Sequence, residues 1–299
     1  MIIEQKVTGI DDNPINVKKK DVPQSTNKAL PSFFNTQLYI GSKGTGKTYK
    51  LVQLLRLYED SPIKDKSGQT YDMRIILIAP TAYSGANEVY KSLKSLDPID
   101  IHLEYTDELL LSIIDDIKTK NNEFDEYIAY KNLYKRFLKI KSLEQLTTEE
   151  LEILEGNDYK TPEEIFGDIK PMITFIIFDD LIGMGAFNNK SKSVISNLTI
   201  KHRHLKINLI FTTQGFKKIP PVVRTNIDIY VIFKSSSYNE VLNKIFEDIS
   251  GYLTLDNFIE LYEHATEERN DALVIINNSL DKQGISYYKN WGTKLLIDN

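Results

Sequence analysis

Cysteine is missing from the 299 residues, and histidine occurs only four times, at positions 102, 202, 204 and 264. The first absence excludes a disulfide framework, a thiolate zinc site and a cysteine nucleophile. The second leaves too few imidazoles for a His-built metal centre. Long apolar runs are missing as well: the longest are about six residues, whereas a bilayer-crossing helix needs roughly 20. Met1 to Lys6 bring neither a basic start nor an apolar stretch, so a secretory signal is not expected and the chain reads as soluble and intracellular. Neither sign of charge prevails, with 37 Lys+Arg against 42 Asp+Glu and a net charge of −5. With 41% hydrophobic and 26% charged residues the composition is that of a folded protein, which excludes wholesale disorder.

What is present alternates between strands and helices. Residues 1–34 are polar, carry Lys18, Lys19 and Lys20, and show no apolar period, so an irregular arm is expected there. Gln37 to Ile40 form a short apolar strand, and residues 47–59 follow as a helix with Leu51, Leu54, Leu55 and Tyr58 at helical spacing. Further buried strands are expected at 74–79, 173–178, 207–211, 227–233 and 272–276, with helices over 107–141 and a pair over 238–266. The stretch 142–170 reads as polar and turn-rich. The pattern predicts one α/β domain over 35–299 with a mostly parallel central sheet flanked by helices, an acidic helical insertion at about 104–170 and a carboxy-terminal extension at about 251–299.

Between the first strand and first helix stands Gly41-Ser42-Lys43-Gly44-Thr45-Gly46-Lys47-Thr48, a full match to G-x-x-x-x-G-K-[ST]. Its glycines let successive backbone N–H groups turn inward around phosphates, and the helix N-terminus adds positive potential. Lys47 is placed to reach the β- and γ-phosphates, and the Thr48 hydroxyl to ligate Mg²⁺. The bland alternative is a Gly-rich turn before an unrelated helix.

The strand at 173–178 ends in Asp179-Asp180. Carboxylates at the carboxyl end of a parallel strand sit where open α/β sheets bind ligands. Asp179 is expected to hold the magnesium ion, and Asp180 to polarise the attacking water as general base. The strand at 207–211 runs on to Thr212-Thr213-Gln214. If that strand is inserted between the strands carrying the phosphate loop and the acidic pair, Gln214 can sense both the γ-phosphate and the lytic water.

Between Leu181 and Ile227 there is no acid but eight bases: Lys190, Lys192, Lys201, Arg203, Lys206, Lys217, Lys218 and Arg224. Residues 104–170, by contrast, carry 17 acids and 9 bases. Binding to a phosphate backbone depends on where cations lie rather than on their total, so the basic stretch is a candidate DNA surface. Lys190 and Lys192, which follow the Gly183-Met184-Gly185 loop, are the leading contacts; a solvated helix face is the alternative. Arg203 and Arg224 each precede a strand of the sheet. Either can act as a finger supplied across a subunit boundary, or can be a structural ion pair.

Phe178-Asp179-Asp180-Leu181, the run from Arg203-His204 to Thr213-Gln214, and Ile219-Pro220-Pro221-Val222-Val223-Arg224-Thr225-Asn226 together resemble one family. They look like the poxvirus-type genome-packaging ATPases of large DNA viruses and virophages, within the FtsK–HerA superfamily of P-loop NTPases. The resemblance covers about residues 36–250. It implies an ATP- and Mg²⁺-dependent homo-oligomeric ring that drives double-stranded DNA into a capsid, meeting a capsid protein at the packaging vertex, in the virion or host cytoplasm. It carries Lys47 and Thr48 to phosphate and metal, Asp179 and Asp180 to the acidic pair, Gln214 to the sensor, and Arg203 or Arg224 to the finger. Many superfamily members have Glu where this chain has Asp180, which reaches less far. A cellular HerA-type or conjugation-type translocase and a non-hydrolysing assembly protein are the competing expectations.

Overall fold

The computed structural model describes residues 22–83, 85–180, 193–216, 219–235, 238–249, 253–277 and 284–296. Eleven strands lie among them: β1 (Gln24–Ser25), β2 (Thr36–Ile40), β3 (Ile63–Lys64), β4 (Thr70–Ile78), β5 (Ile101–His102), β6 (Met172–Asp179), β7 (Ile207–Thr213), β8 (Ile229–Phe233), β9 (Ala272–Asn277), β10 (Ile285–Lys289) and β11 (Thr293–Leu295). The helices are α1 (Lys47–Glu59), α2 (Asp107–Phe137), α3 (Thr148–Gly156), α4 (Pro162–Phe166), α5 (Val194–Lys201), α6 (Pro221–Arg224), α7 (Tyr238–Ile249) and α8 (Leu255–Ala265).

The strands form one sheet in the order β1-β3-β4-β6-β7-β2-β8-β9-β10-β11, with β5 beside β4. Its centre, β4-β6-β7-β2-β8, is parallel throughout. Both margins are antiparallel. The inserted strand is where the sequence placed it: β7 pairs with β6 on one side and with β2 on the other.

The parallel strands read as unbroken apolar runs because both of their faces are covered. Ile76, Ile78, Ile176, Phe178 and Phe211 face one core, shared with α2, α5, α7 and α8. Ile75, Leu77, Phe175 and Ile177 face the other, shared with α1 through Leu51, Leu55 and Tyr58. The period-2 alternation of a strand thus feeds two cores at once. The rings of Phe178 and Phe211 stack across β6 and β7 with centroids 5.0 Å apart.

Three regions differ from what the sequence suggested. The stretch 142–170 is not merely turns: α3 and α4 each open with a capping box, Thr147 with Glu150 and Thr161 with Glu164. Each box satisfies two otherwise orphaned N–H donors. These short helices fold onto α2 around Tyr130, Leu146 and Leu154, a small core apart from the main two. Residues 22–34 supply β1, which pairs with β3, and bury Phe33; the Tyr58 hydroxyl donates to Pro31 O at 2.7 Å. Beyond β9, the strands β10 and β11 extend the sheet. No helix among the described residues is long and apolar enough to cross a membrane.

Candidate nucleotide site

The parallel registers bring the functional ends to one edge. Ile40, the last residue of β2, pairs with Thr213 of β7, and Thr212 pairs with Asp179 at the end of β6. The loop after β2 and the acids after β6 therefore leave the sheet side by side, one strand apart.

Local geometry explains the glycines. Gly44 and Gly46 have φ of 78° and 91°, left-handed values that cost a β-carbon-bearing residue free energy. At Gly41 the constraint is space, since an added Cβ would lie 2.7 Å from Phe233 Cβ. Gly41 N–H donates to Thr213 O at 3.2 Å, which ties the loop to β7. Within the loop, Thr45 Oγ1 donates to Ser42 O at 2.9 Å.

Lys47 turns back over the loop and donates from Nζ to Gly41 O at 2.7 Å and to Ser42 O at 3.0 Å. Burial pulls its ammonium below the usual lysine range, while Asp180 and Asp179 oppose that shift. Both carboxylates thus act on Lys47 through space, although they lie over 130 residues away in sequence.

Asp179 is buried at 5% exposure, and burial raises its carboxyl above the usual range. The Thr212 hydrogen bond, the nearby Tyr90 hydroxyl and the Lys47 charge pull the other way; the Asp180 charge adds to the rise. Thr212 Oγ1 donates to Asp179 Oδ1. That hydroxyl also accepts from Asp180 N at 3.0 Å, so one side chain orients both acids. Asp180 is exposed, with φ of 52°, a left-handed conformation that turns it off the strand direction. Gln214 Nε2 donates to Asp180 Oδ2 at 2.9 Å. The site therefore contains an acid–amide pair on solvent and an acid–hydroxyl pair below it.

Sequence reasoning missed three contributors. Thr212 looked like a polar strand end. Tyr90, in the 3-10 segment Gly85–Ser92, belongs to no motif, yet its hydroxyl faces Thr48 and Asp179. Asn270, at φ 69° in the turn before β9, lies over Gly46, where an added Cβ would meet Asn270 Cβ at 3.1 Å. Only the fold brings these to the phosphate loop.

Arg203 and Arg224 are not at this edge. Arg203 donates to Asp228 Oδ1 at 2.6 Å, and Asp228 Oδ2 accepts from Thr36 N at 2.8 Å at the opposite end of β2. Its side chain is 63% exposed. Arg224 is mostly buried, with its guanidinium 5.1 Å from the centre of the Phe216 ring and 3.9 Å from Asp248. Of the basic stretch, Lys190, Lys192, Lys217 and Lys218 lie outside the described residues, as does the Gly183-Met184-Gly185 loop. Lys201 is exposed and Lys206 lies 3.7 Å from Asp125 on α2.

The family model described as Poxvirus A32 protein matches residues 104–290, more than half of the chain. No curated protein sequence shows significant similarity. Among solved structures, the chain is similar to B204, the DNA-packaging ATPase from Sulfolobus turreted icosahedral virus. The identity is 17%, the TM-score 0.43, and the match covers 85% of this chain and 96% of that one. B204 from Sulfolobus turreted icosahedral virus 2 in complex with AMPPCP matches at 14% identity and TM-score 0.41, over 88% and 98%. The cytoplasmic domain of the type VII secretion ATPase EccC from Thermomonospora curvata matches at 12% identity and TM-score 0.40, over 88% and 26%.

Proposed function

The chain belongs to the Poxvirus A32 protein family, and from that premise we propose that it is an ATP-hydrolysing motor that moves double-stranded DNA into a capsid. One observation carries the hydrolytic part: Lys47 and the Asp179–Asp180 pair, distant in sequence, meet at one sheet edge, where Gln214 holds Asp180. A phosphate loop alone binds nucleotide; a second, exposed carboxylate held by an amide beside it is what positions and polarises water.

Binding requires Lys47 to exchange its two loop carbonyls for phosphate oxygens, a substitution that returns the partly buried ammonium to a full counter-charge. Asp180 then accepts a proton from water, and Gln214 fixes the orientation of that carboxylate. Magnesium fits the residues present. A buried carboxylate, Asp179, is close to the Thr48 hydroxyl, and the buried Tyr90 hydroxyl between them makes no well-formed hydrogen bond of its own. Among the described residues no group of three or more His, Asp or Glu side chains could hold a metal ion. Thr48 and Asp179 would therefore share the cation with water and phosphate oxygens, the usual manner for Mg²⁺. A cation held there would neutralise charge on the phosphates.

Arg203 is our choice for the finger. It is exposed, and it lies at the far edge of the sheet, at least the length of β2, roughly 15 Å, from its own phosphate loop. A cation so placed serves a neighbouring subunit rather than its own, which supports a homo-oligomeric ring. Double-stranded DNA, a capsid protein at the packaging vertex and a place in the virion or host cytoplasm belong to the same proposal.

The test is steady-state ATP turnover with and without double-stranded DNA. The expected result is turnover that DNA stimulates and that Lys47→Ala reduces to background. Undiminished turnover in that variant overturns the assignment.

A further inference from the structure

Tyr90 is 1% exposed and packs in the core that α1 shares with the sheet. Its ring fills volume as a phenylalanine would. Its hydroxyl, however, is buried without a well-formed hydrogen bond, which ordinarily costs stability. The two groups it faces are Thr48 and Asp179, from the first turn of α1 and the end of β6. The orphaned hydroxyl therefore points into the space to which a cation and its water ligands are assigned above, and it comes from a third segment that carries no recognised motif. Meanwhile Thr212 already engages Asp179 Oδ1, so the carboxylate is held from the β7 side only.

We propose that Tyr90 is a positioning residue of the cation site: its hydroxyl takes its missing hydrogen bond from a water ligand of the cation or from Asp179 once nucleotide and cation enter. The inference rests on the assignment of Thr48 and Asp179 to Mg²⁺. With Thr212 on one side and Tyr90 on the other, the carboxylate plane is fixed in the orientation a cation needs. Outer partners of this kind change metal affinity by about 10- to 100-fold when removed. The arrangement also links cation binding to the segment Gly85–Ser92, which packs along α1.

The experiment compares the full-length wild type with Tyr90→Phe, using a fluorescent non-hydrolysable ATP analogue in EDTA and across a Mg²⁺ titration. The expected result is unchanged affinity in EDTA and a Mg²⁺ midpoint raised about tenfold or more. Thermal stability should be equal or slightly higher, since an unsatisfied polar atom has gone. An unchanged midpoint overturns the proposal, as does an equal loss of affinity with and without Mg²⁺, which marks a packing role. Tyr90→Met, also apolar at this position, gives the same comparison should the phenylalanine variant not fold. If wild-type binding ignores Mg²⁺, or Asp179→Asn leaves the midpoint in place, the cation assignment itself fails and this inference with it. If the wild type binds no nucleotide at all, the broader proposal fails first.

Discussion

The two edges of the parallel sheet handle charge in opposite ways. At the carboxyl edge, charges are close but incompletely satisfied. Lys47 donates to two loop carbonyls, Asp179 is buried against a hydroxyl, and the Tyr90 hydroxyl has no formed bond. At the amino edge the polar groups are closed on one another. Asp228 takes both Arg203 and the Thr36 N–H, and His202 is buried between Thr199 O, Phe34 O and Thr36 Oγ1. An edge prepared for a polyanion keeps unsatisfied groups that the ligand completes; an edge that only holds strands together does not. Arg203 is the exception at the amino edge, because its exposure lets it exchange Asp228 for a partner from outside.

Removing the proposed general base should break the contrast most sharply. Asp180→Asn keeps the side chain's size and an acceptor for Gln214, but cannot take a proton. The expected loss in kcat is on the order of 10³-fold, with nucleotide affinity within a few fold of wild type. Steady-state turnover and equilibrium binding check the two halves separately. A variant that still turned over at half the wild-type rate would move the base elsewhere.

Next in size is Arg203→Ala. An exposed ion pair contributes about 0–1 kcal/mol, so the thermal midpoint should barely move. If Arg203 reaches a neighbouring subunit, turnover in the assembled state should fall about 100-fold, while turnover of the dilute monomer stays as it was. Turnover measured across protein concentration separates the outcomes, and an equal effect at every concentration would return Arg203 to a structural role.

The smallest effect concerns His202 and sharpens the description of the closed edge. Burial holds its imidazole below the usual histidine range, against the pull of the Thr199 and Phe34 carbonyls beside its two ring nitrogens and of the Asp228 charge. A depressed folded-state value means that the unfolded chain binds the proton first. The stability is fully present above the unfolded pKa of about 6.5 and is lost as pH falls toward the lowered folded value. Denaturant unfolding at pH 7.5 and 5.5 should show less stability at the lower pH, a difference that His202→Gln reduces. Equal pH dependence in the variant would assign the effect to other groups.

Much of the carboxyl edge was legible beforehand because its chemistry is written in contiguous letters. Gly41 to Thr48 must be consecutive for backbone N–H groups to ring a phosphate, and Asp179-Asp180 must follow directly on a buried strand. The inserted strand ending in Gln214 was legible for the same reason. Tyr90, Thr212 and Asn270 were not, since each reaches the loop from a separate segment and no spacing rule links them to it. The helices α3 and α4 escaped notice through their largely exposed, polar faces, although the two Thr-x-x-Glu boxes that open them were in plain view. The pairing of β1 with β3 joins two-residue strands, too short for any period to register.

The sequence by itself determined the strand composition, the phosphate loop and the identity of the two acids, because these depend on local backbone freedom and on apolar runs that have to be buried. Only the tertiary structure decided that one threonine orients both acids, that Arg203 faces solvent while Arg224 does not, and that the Tyr90 hydroxyl ends beside Thr48 and Asp179. Side-chain contacts and exposure are set by which faces pack together across the whole chain, a balance that no short stretch of residues contains.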